Sequence, residues 1–82
     1  MRQIVIRCCP LCPEKLFVAA RVARRLREDG TLEVRRERGS LGELSVLIDG
    51  KLAVDVPMFW LNRPSTIVKQ VREQLARQSW AR

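Results

Sequence analysis

The chain has 82 residues, of which 46% are hydrophobic and 30% charged, so it has room for one domain and is too apolar to stay disordered. We predict a single domain over residues 1–82. Histidine is absent, which excludes a hydrolase that depends on a histidine base. The apolar run near the start is too short for a secretory signal, and no run approaches a membrane span, so the expected compartment is cytoplasmic. The net charge of +7 suits an acidic partner as well as an ordinary solvated surface.

The first two predicted elements are a strand and a long helix. The apolar run in "RQIVIR" (β1, residues 2–7) predicts a central strand that is buried on both faces. Pro13 suits the first position of a helix (α1, residues 13–30), and Gly30 is a natural stop. The predicted buried face of this helix consists of Leu16, Ala19, Ala20, Ala23 and Leu26, with Phe17 and Val22 beside it.

Three more strands are expected after this helix. "TLEVRRER" (β2, residues 31–38) alternates apolar and charged side chains, which predicts a strand with one buried face. An Asp49-Gly50 pair then separates two alternating runs (β3, residues 44–48, and β4, residues 52–56). Such a pair between alternating runs is typical of a tight β-hairpin.

The last part of the chain combines an apolar stretch with a helix. Met58-Phe59-Trp60-Leu61 either covers the end of the sheet or forms an exposed partner surface. Ser65 is expected to cap a final helix (α2, residues 66–78), and Trp80 to pack back or fray. The residues that α2 is expected to bury are Ile67, Val68, Val71 and Leu75.

The element order is therefore β1-α1-β2-β3-β4-α2. A strand, a helix and a second strand form a parallel pair with a right-handed crossover. With β1 central, the economical strand order is 2-1-3-4 in one mixed sheet. We therefore predict an α/β (α+β) sandwich, the minimal thioredoxin-like fold.

All three cysteines lie in "RCCPLC" (residues 7–12), at the predicted junction of β1 and α1. Cys9 and Cys12 form a C-x-x-C pair, whose spacing lets a disulfide close with little backbone movement. The free N–H groups at the helix start, together with Arg7 and Lys15, should lower the pKa of a thiol there. The pattern predicts a small thiol–disulfide oxidoreductase that needs no cofactor.

Two other interpretations of the cysteines stay open. Structural zinc needs four ligands, and one C-x-x-C pair without histidine does not supply them in a single chain, so no metal site is predicted. The cysteines could instead be small buried packing residues. Cys8 is expected to pack, although it could also act as a third partner in disulfide exchange.

This pattern resembles the selenoprotein W-like (Rdx) family of thioredoxin-fold proteins. The resemblance rests on the C-x-x-C after β1, the basic helix, and "GELSVLIDGKL", whose residues 49–52 match the family's hairpin turn. It implies that Cys9 and Cys12 are the redox pair, with Cys12 at the selenocysteine position. "CPLC" is also similar to a glutaredoxin motif. The first cysteine attacks in glutaredoxins, whereas the second position is more reactive in the selenoprotein relatives, so the order of attack is open.

The chain departs from that family at two points. Ser40-Leu41 stands where the family has Thr-Pro, and no buried acid is obviously placed to accept a proton from the second thiol. The expected partner is a disulfide-bearing protein or a glutathione-like thiol, and the basic surface favours an acidic protein. Nucleic acid is disfavoured because acidic residues are interleaved with the arginines and no aromatic stacking platform accompanies them. The rival hypothesis is a non-enzymatic interaction module.

Overall fold

The predicted architecture is confirmed by a computed structural model, which describes residues 2–56 and 63–80, with side chains described as far as Arg77. Strands β1 and β2 pair in parallel, and β3 pairs antiparallel with β1 and with β4. The sheet order is β2-β1-β3-β4. The elements are β1 (Arg2–Cys8), α1 (Pro13–Arg27), β2 (Leu32–Arg38), β3 (Leu44–Ile48), β4 (Lys51–Val56) and α2 (Pro64–Trp80).

The apolar core lies between the helices and one face of the sheet. The two helices contact each other, α1 contacts β1 and β2, and α2 contacts β4. Ile4, Ile6 and Cys8 point into this core from β1, whereas Val5 and Arg7 alternate to the opposite face and are only half-buried. The expectation that both faces of β1 are buried is therefore wrong, because both described helices pack on the same side.

The buried stripe of α1 is rotated from the predicted one. Its members are Lys15, Val18, Ala19, Val22, Ala23 and Leu26. Leu16, Phe17 and Ala20, which were expected at or beside the buried face, are exposed. The stripe follows the spacing of 3.6 residues per turn, but it contains Lys15 on its first turn. A pattern search that treats lysine as a surface residue misses this position, although the aliphatic stem of lysine packs well against apolar neighbours.

An irregularity in the β3–β4 pair changes the predicted face of one residue. Val46 pairs with Val54, but the next residue, Leu47, pairs with Leu52, which leaves Ala53 as an extra residue in β4. A bulge of this kind shifts the alternation of side chains by one position. Leu52 is 61% exposed for this reason, whereas simple alternation predicts it to be buried.

The hairpin turn between β3 and β4 is hydrogen-bonded to the start of β1. Asp49 and Gly50 both adopt positive φ angles, 50° and 85°, as a two-residue I′ turn requires. The Asp49 carboxylate accepts hydrogen bonds from the Gln3 backbone N–H at 2.9 Å and from the Arg2 guanidinium. These two contacts, the Gln3 bond first, lower the pKa of Asp49. The turn motif of the sequence thus has a structural role in joining β3 and β4 to the central strand.

Helix α2 begins at Pro64, two residues before the predicted start at residue 66, so the predicted Ser65 cap is wrong. Proline is well suited to the first position of a helix, because its missing N–H has no partner there. Ile67, Val68 and Val71 are buried and Leu75 is partly buried, as predicted. The apolar stretch at 58–61 and the packing of Trp80 lie outside the described residues. No helix in the described ranges is long and apolar enough to cross a membrane.

Candidate active site

The C-x-x-C pair lies in the short connection between the end of β1 and the start of α1. Cys9 is fully buried, and Cys12 is partly exposed. The Cys12 thiol donates a hydrogen bond to the Cys9 sulfur at an S–S distance of 2.8 Å. This distance exceeds the 2.03–2.05 Å of a disulfide bond, and both cysteines are free thiols. The fold therefore brings together the two side chains that the sequence singles out.

The two thiols have opposite pKa shifts. The pKa of Cys9 is lowered, first by the hydrogen bond from Cys12 and next by the backbone N–H of Gly42, with smaller help from the N–H groups of Leu11 and Cys12. The pKa of Cys12 is raised, mainly because it donates to Cys9 and because it is desolvated. The first proton lost from the pair therefore leaves the negative charge mainly on Cys9.

Helix α1 explains how Cys12 reaches this position. Cys12 is the N-cap residue, and its carbonyl accepts the Leu16 N–H at 3.0 Å. Its side chain does not cap the helix, so the thiol is available to Cys9. Lys15, buried in the first turn, acts in the predicted direction by lowering the pKa of Cys12, although larger effects outweigh it. Arg7 was predicted to act on the thiols, but it faces Glu43 at 3.9 Å.

The loop at residues 39–43 is the part of the site that the sequence did not reveal. The Cys9 N–H donates to the Glu43 carbonyl at 2.8 Å, and the Gly39 N–H donates to the Cys8 carbonyl at 2.9 Å. Gly42 has a φ of 75° and directs its N–H at both sulfurs of the pair. The only sequence signal for this loop was Ser40-Leu41, which is flanked by glycines and stands where the Rdx proteins that the sequence resembles have Thr-Pro.

Glu43 holds this loop in shape. Its carboxylate accepts hydrogen bonds from the Ser45 hydroxyl and the Ser40 backbone N–H, each at 2.7 Å. These bonds, the Ser45 bond first, lower the pKa of Glu43. A Cβ atom on Gly39 would lie 2.6 Å from a Glu43 carboxylate oxygen, so any larger residue there must displace this carboxylate. Glu43 is thus an ionised residue, and its side-chain hydrogen bonds go to the loop and to β3 rather than to the thiol pair.

Cys8 lies on the core side of β1 and is 5% exposed. It belongs to the apolar core, in agreement with the predicted packing role. Desolvation raises the pKa of its thiol, and the Arg36 charge opposes this effect. Within residues 2–56 and 63–80, no group of three or more histidine, cysteine, aspartate or glutamate side chains is arranged to hold a metal ion.

Comparison with known proteins extends the description of the fold. No protein-family model matches the sequence, and a search of curated proteins finds no match. The structure is similar to the crystal structure of a protein from Bordetella parapertussis, a structural-genomics target, with a TM-score of 0.67 and 22% sequence identity. The similarity covers 89% of this chain and 96% of that one. At this identity the likeness shows a shared fold.

Proposed function

We propose that the chain is a small thiol–disulfide exchange protein, a cysteine-containing relative of the Rdx proteins, in which Cys9 and Cys12 form the redox dithiol. The observation that carries the proposal is the 2.8 Å contact between the Cys12 thiol and the Cys9 sulfur. Three backbone N–H groups also lower the pKa of Cys9, and such an environment promotes thiolate chemistry. A reducing cytoplasm, where free thiols persist, is the compartment that suits this chemistry.

Cys12 is the sulfur we assign to the attack on a partner disulfide. It is partly exposed, whereas Cys9 is fully buried, and exchange requires access to the attacking sulfur. The charge of the singly ionised pair lies mainly on Cys9, and moving the shared proton along the 2.8 Å hydrogen bond to Cys9 gives the less populated form, with the thiolate on Cys12, that attacks. The Cys12 thiolate then displaces one partner thiolate and forms a mixed disulfide. Cys9, after losing its proton, attacks Cys12 and releases the second partner thiolate, which leaves the Cys9–Cys12 disulfide.

Exposed apolar side chains lie next to the dithiol and suit a protein as the disulfide partner. Leu11, inside the motif, is 77% exposed, and Leu41, which precedes Gly42, is 70% exposed. Phe17 is 62% exposed, and the Arg21 guanidinium lies 5.7 Å from its ring centre. Large exposed apolar side chains grouped around a reactive centre are typical of a partner-binding surface. The same side chains would serve an interaction module that uses no redox step, so the test must follow the sulfur chemistry.

The experiment equilibrates the reduced protein with glutathione redox buffers and identifies disulfides by mass spectrometry after acid quenching. We expect a Cys9–Cys12 disulfide in the unmodified protein and in Cys8→Ser, the matched control that removes the third thiol. Cys9→Ser should accumulate a mixed disulfide on Cys12, because the resolving thiol is missing. Cys12→Ser should react more slowly, since its remaining thiol of the pair is buried.

Two results would contradict the proposal in different ways. If no Cys9–Cys12 bridge forms at any buffer potential, the redox function is wrong and the interaction module is favoured. If Cys12→Ser traps the mixed disulfide faster than Cys9→Ser, the order of attack is the reverse of the one assigned here.

A further inference from the structure

A basic cleft lies between α1 and the edge strand β2, beside the C-x-x-C loop. Its volume is about 470 Å³, within the range of small-molecule and side-chain binding sites. The wall combines two apolar residues from the loop and helix with charged residues from the end of α1 and from β2. The residues that line it are Cys8, Pro10, Leu16, Arg27, Arg36, Glu37 and Arg38.

The wall of the cleft carries more positive than negative charge, with three arginines and one glutamate among the described residues. Glu37 is the one acid among the described residues of its wall, and its carboxylate accepts a hydrogen bond from Arg35, outside the cleft, at 3.1 Å. Arg27 is anchored, because its guanidinium donates to the Val34 carbonyl at 3.3 Å. Arginine presents a planar fork of donors that matches a carboxylate in two parallel hydrogen bonds. The cleft is therefore suited to a carboxylate group.

Arg36 and Arg38 are the exposed cations that β2 contributes to the cleft. In the parallel pair of strands they lie opposite Ile6 and Cys8, on the side of the sheet that faces α1. The effect of Arg36 on the Cys8 thiol, described above, is consistent with this position. Both guanidinium groups are thus placed at the end of the sheet that carries the dithiol.

The cleft borders the C-x-x-C loop at Cys8 and Pro10, the two residues on either side of Cys9. Pro10 forms part of the cleft wall and precedes Cys12 by two residues. Two residues of chain span at most about 7 Å, so the backbone of Cys12 lies no farther than this from the backbone of Pro10 in the cleft wall. This proximity is the geometric basis for considering the cleft and the dithiol together.

We propose that this cleft binds a carboxylate of the disulfide partner, so that anionic disulfides are the preferred substrates of Cys12. The inference rests on the proposed exchange function and names its substrate class. The chemistry is the exchange described above: the partner disulfide gains two electrons and becomes two thiols, while Cys9 and Cys12 lose two electrons and form a disulfide. The carboxylate can belong to a small disulfide or to an acidic residue near a protein disulfide.

The test compares three small disulfides of similar size and different charge: anionic 3,3′-dithiodipropionate, neutral hydroxyethyl disulfide and cationic cystamine. The rate at which each reagent forms the Cys9–Cys12 disulfide is measured. It is divided by the rate at which the same reagent reacts with free cysteine, which corrects for differences in reactivity among the three reagents. We expect the anionic reagent to be favoured over the neutral one by about three- to tenfold, as two exposed arginine–carboxylate contacts allow. Added salt should reduce this preference, because the contacts are exposed.

Variants separate the cleft from the overall charge. Arg36→Gln/Arg38→Gln should abolish the preference, and Arg36→Lys/Arg38→Lys, which keeps both charges, should retain most of it. Arg24→Gln/Arg77→Gln is the matched control, since it removes the same charge, from +7 to +5, at exposed positions outside the cleft. Equal loss of preference in the control variant would show a general field effect and overturn the site. Circular dichroism of each variant verifies that the fold is intact.

A second arm identifies the source of the carboxylate. Two peptide disulfides that carry either aspartate or asparagine beside the cysteine are compared in the same assay. A preference for the aspartate peptide alone assigns the cleft to acidic protein partners, and a preference for dithiodipropionate as well assigns it to small anionic disulfides. Oxidation by all reagents without a charge preference refutes the cleft and leaves the exchange function intact. No oxidation by any reagent refutes the exchange function itself.

Discussion

Gly39 offers the sharpest test of how the loop at residues 39–43 is held against the dithiol. Its φ lies outside the left-handed region, so an alanine there is not strained by its backbone angle. The obstacle is steric: the new Cβ would lie 2.6 Å from a carboxylate oxygen of Glu43 and 3.2 Å from the backbone nitrogen of Cys8. Gly39→Ala therefore tests whether the position of the Glu43 carboxylate contributes to stability.

The expected loss of stability in Gly39→Ala follows from the hydrogen bonds of the Glu43 carboxylate. To reach an ordinary contact of 3.4 Å from 2.6 Å, the oxygen must move by the difference, 0.8 Å. The same oxygen accepts the Ser40 N–H at 2.7 Å, and this bond would be stretched to its limit or broken. Hydrogen bonds to charged groups contribute about 1.5–3 kcal/mol. Because the side chain of Glu43 is 22% exposed and water replaces part of the loss, we expect destabilisation of about 1–3 kcal/mol.

Urea denaturation followed by circular dichroism measures this difference, and Gly30→Ala is the matched control. A Cβ atom on Gly30 would meet nothing within 4 Å, and its φ is also outside the left-handed region. That substitution should be neutral or stabilise by about 0.4–1 kcal/mol, since it restricts only the unfolded chain. For a domain of this size, each 1 kcal/mol corresponds to a shift in Tm of about 4–8 °C.

A double-mutant cycle with Glu43→Ala tests the cause directly. Without the carboxylate, Gly39→Ala should cost at least about 0.5 kcal/mol less than in the unmodified chain, because the two sites interact. The destabilisation by Gly39→Ala that remains in the Glu43→Ala background reflects the contact of the new Cβ with the Cys8 nitrogen. The reasoning fails if Gly39→Ala and Gly30→Ala have the same stability within error, or if the cost of Gly39→Ala is unchanged when the carboxylate is absent.

Three further outcomes are expected. Gly42→Ala should destabilise the fold by about 1–2 kcal/mol because of its φ of 75°, and it should raise the pKa of Cys9 by displacing an N–H donor. The pH dependence of the ultraviolet absorbance of the thiolate in Cys12→Ser, with and without Gly42→Ala, measures this pKa change. Ile6→Ala, at a fully buried position, should cost about 2–5 kcal/mol in urea denaturation. Glu43 and Asp49 have lower pKa values in the folded state than in the unfolded state, where they are about 4, so both carboxylates stabilise the fold at higher pH. This contribution to the free energy of unfolding is lost as the pH falls through the folded-state pKa values. Asp49→Asn should therefore flatten the acid side of the stability–pH profile.

Local patterns were sufficient to predict the order of elements and the place of the dithiol. Pro13 begins α1, the Asp49-Gly50 pair forms the turn of the hairpin, and Cys9 and Cys12 lie together at the start of the helix. These features depend on the backbone preferences of a few adjacent residues. The errors arose where the outcome depended on packing partners, as with the exposed Leu16 and the bulge that turns Leu52 outward.

The sequence by itself determined the strand and helix order and the spacing of the thiol pair, because periodicity, turn chemistry and the C-x-x-C motif are short-range properties. Only the tertiary structure decided which thiol carries the charge and which is accessible. Those properties depend on the Gly42 N–H, which arrives from a loop about thirty residues away in the chain, and on the burial of Cys9 beneath it. The basic cleft also belongs to the tertiary level, because parallel pairing of β1 with β2 is what places Arg36 and Arg38 beside the cysteine loop.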